Sequence, residues 1–237
     1  YMEQPLLTLI EKQGIDTNYV TDFEVDRNPA VFAATRNIAV GGHSEYWTLK
    51  MRDSIDGAVA TGVNLVAFGG NTAYAVTEIV DREISGRTPY RELNRPESLL
   101  LGSQYFALGM KKDLVSQNAW PFKTLGKDAV IKGLYGYEAD TALGTIGPGV
   151  QVVARSAISP TEKGYVAMST YYNAPSGASV LNMGTNAWVC AMSNRCPWGH
   201  SFDLVAQKQI TTVTTEVLKA VKTGKWPVAQ IDFPSRP

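Results

Sequence analysis

Residues 37–53 read NIAVGGHSEYWTLKMRD: a short apolar run, two glycines, then His43, Ser44, Glu45, Tyr46 and Trp47 in five consecutive positions. His43 is one of only two histidines in the chain. Its ordinary pKa lies near 6.5 and a neighbouring carboxylate raises it, so it suits a general base or a ligand. The competing reading is a histidine that fixes the turn by hydrogen-bonding backbone. Glu45 reads either as a catalytic acid or base or as a charge favoured at the amino end of a helix. Tyr46, beside an indole, reads from the residues alone as a core aromatic with a satisfied hydroxyl. A second double glycine opens GGNTAY, where Asn71 and Thr72 are candidates to bind a cofactor or substrate oxygen through backbone amides. They serve equally well as a cap for the next segment. Glu138 lies in GLYGYEAD, a glycine-rich and otherwise apolar stretch in which a buried carboxylate needs a metal or an arginine as partner. Ser44 lacks the GxSxG setting of a nucleophile elbow, and His200, in CPWGHS, reads as a surface-loop residue.

The elements that must position these groups follow from the apolar pattern. Ile38–Val40 and residues 64–68 read as continuous apolar strands, each running into its own double glycine. Thr48 is placed to cap a helix carrying Met51, Ile55, Ala58 and Val59 on one face, closed by Gly62. Leu6, Leu9 and Ile10 mark an earlier helix ended by Gly14, and a second short helix is predicted over 29–34. Apolar strands separated by helices imply a mainly parallel sheet covered on both faces, with ligands at its carboxyl edge. The two double glycines are therefore predicted to open side by side on that edge. Residues 80–137 read as a long irregular insertion of the kind that forms lids. The part after it is predicted to be β-rich, with strands in VQVVARSAI, YVAMSTYYN and ASVLNMGT, before a helix from Phe202 to Val221 ended by Gly224. The IGPG around Gly147 and Gly149 reads as a turn before a strand, so no nucleotide loop is indicated.

Composition narrows the partners. The 237 residues carry 22 basic and 22 acidic side chains, and no basic cluster with interleaved aromatics is present, so nucleic acid is not expected as a partner. No run approaches the roughly 20 apolar residues that span a bilayer, and no membrane partner is expected. The chain is long enough for a sizeable core and reads as one domain, residues 1–237. Cys190 and Cys196, in CAMSNRC, fit a local disulfide or two free thiols equally.

GHSEYWTLKMRDSIDGAVATGVNLVAFGGNTAY, with NYVTDFEVD before it and GLYGYEAD and SVLNMGTNAW after it, resembles the carboxy-terminal domain of the large (beta) subunit of N,N-dimethylformamidase. The resemblance spans roughly residues 3 to 223. It implies a fold similar to class I glutamine amidotransferases and flavodoxin-like sheets, without their cysteine nucleophile. It also implies amide hydrolysis with iron held by two tyrosines and a glutamate. By position, Tyr46 and Glu138 match a ligand tyrosine and the ligand glutamate. For the second tyrosine, Tyr19 before Thr-Asp is preferred to Tyr74 after GGN. The chain departs from the family in carrying Ala75 and Ala139 where tryptophans are common, which removes bulk and implies a substrate other than dimethylformamide itself. The family's first strand would lie upstream of Tyr1, so an oligomer, or a segment or chain supplying that strand, is expected.

Phenolate and carboxylate are hard donors, suited to a ferric ion more than to zinc. The expectation is thus a metal-dependent hydrolase of a small-molecule amide, with His43 or Glu45 taking a proton from water. The alternative is a domain that keeps the fold as a binding or assembly module.

Overall fold

The structure, a computed structural model, describes residues 2–81, 83–142, 149–157 and 166–230; Gly147 lies outside them. α1 (Gln4–Lys12) buries Leu6 and Ile10, and Gly14 follows at φ +60, a left-handed position that glycine reaches without the steric cost of a Cβ. α2 (Asp22–Arg27) starts at Thr21, whose hydroxyl accepts from the Glu24 amide while the Glu24 carboxylate accepts from the Thr21 amide. That reciprocal cap starts the helix at Asp22, and residues 29–34, where a helix is predicted, are turns.

β1 (Asn37–Val40) and β2 (Tyr46–Trp47) lead into α3 (Leu49–Ala60), capped by Thr48, whose Oγ1 accepts from the Met51 amide. β3 (Asn64–Ala67) lies beside β1, parallel, with Asn37 opposite Asn64 and Val40 opposite Ala67. The two strands expected to be parallel neighbours are so. Val66 and Phe68 pack in one core with Leu6 and Ile10, whereas Leu65 and Ala67 pack in another with Met51 and Ile55. Burial on both faces explains the absence of polar alternation; each such leucine or valine contributes roughly 2 kcal/mol.

β4 (Ala75–Val80) and β5 (Glu83–Pro89) form a hairpin that joins β2 in a three-stranded sheet ordered β2-β4-β5. The chain continues through α4 (Ser98–Leu101), β6 (Gln104–Ser116), β7 (Val130–Thr141), β8 (Gln151–Ser156), β9 (Met168–Asn173), β10 (Ser179–Asn182), α5 (Ala187–Ala191) and α6 (Leu204–Thr223). The large sheet is ordered β1-β3-β10-β9-β8-β6-β7. β1, β3 and β10 are parallel, and every further pairing out to β7 is antiparallel. The fold is therefore mixed α/β with a large mixed sheet, and the expected mainly parallel arrangement holds only for those first three strands.

The segment 80–137 departs most from expectation. It is not irregular: it holds β5, α4, β6 and most of β7. The β6–β7 ladder shifts register between Tyr105 and Ala107, between Leu108 and Met110, and between Lys112 and Leu114, with Gly109 and Gly133 at φ +75 and +65. Each shift resets which side chains face inward, so no period of two persists in the sequence. Cys190 and Cys196 form a disulfide closing the turn after α5. Among the described residues no helix is long and apolar enough to cross a membrane.

The two double glycines touch. A Cβ built on Gly69 would stand 2.0 Å from the Gly42 carbonyl oxygen, whereas one on the exposed helical Gly57 meets nothing within 4 Å. Gly69→Ala is expected to cost about 3 kcal/mol in denaturant unfolding, and Gly57→Ala to stabilise by up to about 1 kcal/mol. Equal effects at the two positions would contradict the close approach.

Candidate functional site

The segments leaving β1 and β3 run side by side. Ala73 N donates to Ser44 O at 2.9 Å and Ala75 N to Glu45 O at 3.0 Å. The pairing continues as β2 against β4, with Tyr46 opposite Ala75 and Trp47 opposite Val76. β7 reaches the same place from the far end of the sheet order. Ala139 bridges to Thr185, Asp140 N donates to Gly184 O, and Asn186 N donates to Glu138 O. Asp140 then ties the ends together, accepting from the Asn71 amide and from Asn182 Nδ2, both at 2.8 Å. Burial pushes its carboxyl up to about 6 against the opposing pull of those two hydrogen bonds.

Glu138, two residues earlier on β7, is only 8% exposed. Asn186 grips it twice: Nδ2 donates to Glu138 Oε2 at 3.0 Å and Oδ1 accepts from the Glu138 amide at 3.2 Å. His43 Nε2 stands 2.8 Å from Glu138 Oε2 and 3.6 Å from Glu45 Oε2. Although both carboxylates are near, Nε2 is buried without an aligned hydrogen bond among the described residues. The adjoining Glu138 carboxylate pushes the His43 pKa up from its ordinary 6.5; burial opposes this, and Glu45 and Asp140 add to it. Glu45, also buried, receives Arg87 Nη2 at 2.5 Å. The Arg87 guanidinium carbon lies 5.3 Å from the Tyr46 ring centre and 5.9 Å from that of Tyr74. Tyr74 packs edge-on against Tyr105 at 5.4 Å. Burial, then Glu45, raises the Tyr46 pKa, with Arg87 opposing, so the phenol stays neutral unless a stronger cation approaches.

The site thus gathers His43, Glu45, Tyr46 and Glu138, together with Tyr74. Tyr19 is elsewhere: it is 54% exposed and its hydroxyl donates to Glu11 at 2.6 Å. Of the two candidates for a second tyrosine, Tyr74 is the one beside Tyr46. Asn71 and Thr72 are buried, and among the described residues their Oδ1 and Oγ1 have no hydrogen-bond partner. The Asn71 amide is already engaged by Asp140, so it is not open to a substrate oxygen. Ser44 Oγ accepts from Trp47 Nε1 at 2.8 Å, a structural duty. His200 lies in a loop, half-buried against Gly136, and burial, helped by Lys111, lowers its pKa. Ala139 lies in the core with Leu134 and Trp188, so the room left by its small side chain is in the core.

Sequence reasoning missed Arg87, Tyr105, Asn186 and Asp140. Only Asp140 carried a local signal, since residues two apart on a strand share a face and Glu138 was already singled out. Among the described residues no group of three or more His, Cys, Asp and Glu side chains is arranged to hold a metal; the oxygen donors gathered here include phenols.

The family described as N,N-dimethylformamidase beta subunit-like, C-terminal, matches residues 1–89 and 80–198. The chain belongs to this family. No curated protein matches it. The matched stretches contain the β1–β4 scaffold, β7 and Asn186, so His43, Glu45, Tyr46, Tyr74, Arg87 and Glu138 all fall within the family's span, whereas His200 lies just beyond it.

Asn186 is the simplest probe of the scaffold. Asn186→Ala strips both the Glu138 amide and its carboxylate of a buried partner, at an expected cost of about 2–3 kcal/mol. Unfolding in urea measures it, and a loss below about 0.5 kcal/mol would mean that Glu138 is not held as described.

Proposed function

We propose that this protein hydrolyses an amide carbon–nitrogen bond with the help of a bound metal ion, sharing its chemistry with N,N-dimethylformamidase. The observation that carries this reading is His43 Nε2, 2.8 Å from the buried Glu138 and 3.6 Å from Glu45, beside tyrosine rings at the exit of parallel strands. The scaffold is read as a relative of the class I glutamine amidotransferase fold whose sheet is extended by antiparallel strands.

Buried carboxylates and phenols that share one mouth are a hard-donor set, and they fit a ferric ion better than zinc. Tyr46, Tyr74 and Glu138 are the side chains that would hold it. Such an ion, when bound, polarises a carbonyl and acidifies water. The remaining work belongs to the chain's own side chains. His43 is placed to move a proton between water and the departing nitrogen. Glu45, fixed by Arg87, flanks the imidazole and stabilises its charged form. Asn186 fixes the Glu138 carboxylate, and rigid strands on both sides limit the drift of the cluster.

Metal analysis of the purified protein, with assays on a panel of simple amides, tests the reading. Wild type is expected to contain iron, to absorb visible light through phenolate-to-iron charge transfer, and to turn over an amide. Tyr46→Phe and Glu138→Gln should each lower turnover at least about 100-fold and lose the metal. Tyr46→Phe keeps the ring, so its thermal midpoint should stay within a few degrees of wild type. Tyr19→Phe should change neither metal content nor turnover. A wild type that binds no metal and cleaves no amide would replace the hydrolase with a non-catalytic binding module.

A further inference from the structure

Resting on that reading, we infer that Arg87 selects the substrate, and that the site takes an amide carrying a carboxylate next to the scissile bond, with an aliphatic group on its other side. Two arginines flank Tyr74, and they are not equivalent. Arg91 is spent: its Nε and Nη2 donate to the two carboxylate oxygens of buried Glu97 at 3.1 and 2.7 Å, and Nη2 also donates to the Tyr105 carbonyl. Arg87 is different. A guanidinium offers five N–H donors in a planar fork, and among the described residues Arg87 bonds only Glu45, through one nitrogen. Its side chain is 60% exposed, so the rest of the fork is open at the mouth.

Three further features favour a carboxylate there. The fork is already oriented, by Glu45 beneath it and by the Tyr46 and Tyr74 rings beside it, so an incoming anion need not order a mobile side chain. Paired N–H groups of arginine match the two oxygens of a carboxylate. The two site glutamates are buried and partnered by Arg87 and His43, so the charged group nearest solvent is the Arg87 guanidinium. The apolar requirement comes from Leu108. It is the ladder partner of Glu138 on β6 and is 60% exposed, and ladder partners project to the same face. An N-acyl amino acid meets both demands: its carboxylate pairs with Arg87, its amide lies by His43 and Glu138, and its acyl chain covers Leu108.

The test compares N-butyrylglycine with N-butyrylethylamine, which has the same amide and no carboxylate, by calorimetric binding and by turnover. Wild type is expected to favour the glycine compound at least about 10-fold in both Kd and KM, the strength of one charge-assisted pair. Arg87→Gln should bring that preference below about threefold, and Arg87→Lys, which keeps the charge and loses the fork, should fall between. Circular dichroism of the three proteins should coincide, since the position is exposed. Equal binding of the two compounds by wild type, or a preference undiminished in Arg87→Gln, overturns the inference. Arg87-dependent selectivity in binding without turnover of any amide upholds it and rejects the hydrolase reading. Turnover of both amides at equal KM does the reverse.

Discussion

One buried carboxylate holds the site together. Asp140 accepts the Asn71 amide from the turn after β3 and the Asn182 side chain from the end of β10, while its own strand belongs to the far end of the sheet order. Together with the Ala139–Thr185 bridge and the Asn186–Glu138 bonds, that junction brings Glu138, on a distant antiparallel strand, to His43 on the loop leaving the parallel one. A carboxylate removed from water must be matched by donors. The Asn71 amide and the Asn182 side chain supply them, so Asp140 tolerates burial and β7 has one preferred docking position. The glycines complete the junction sterically: a Cβ on Gly70 would press on Thr185 within 2.9 Å, so the backbones meet at a distance that only a bare Cα permits.

Above this junction the charges alternate. Arg87, Glu45, His43 and Glu138 follow one another as base, acid, base and acid at 2.5, 3.6 and 2.8 Å. Glu45 and Glu138 each have a basic neighbour, and each base lies against an acid. The rise in the His43 pKa follows from that alternation, and the phenols nearby are pushed towards neutrality by burial and by the acids. A cation bound among them would reverse that tendency.

The legible and illegible parts of the molecule divide along physical lines. β1, β3 and α3 could be read because Ile38–Val40 and Leu65–Phe68 are unbroken apolar runs ended by paired glycines, and because Thr48 caps through its own side chain. His43, Glu45 and Glu138 could be named from their local strings, and Tyr46 only through the family resemblance. β6 and β7 could not be read, since three register shifts scramble their alternation. Arg87 was invisible because β5 is almost wholly exposed and resembles any charged hairpin arm. Tyr19 was preferred to Tyr74 on local sequence, yet what brings Tyr74 to the site is strand pairing, with its neighbour Ala75 opposite Tyr46, and pairing is not written in either segment alone.

The contact between Gly42 and Gly69 makes the two exit loops a single mechanical body. Backbone bonds from Ser44 and Glu45 to Ala73 and Ala75 bolt them together further along. Neither loop can lengthen or shorten without disturbing the ladder of the other, so side-chain changes at the mouth are tolerated best where the grip ends. That place is the outer arm of the β4–β5 hairpin, the stretch where the two family matches overlap at residues 80–89. An arm of this kind can trade side chains at the mouth while the jaw behind it keeps its shape.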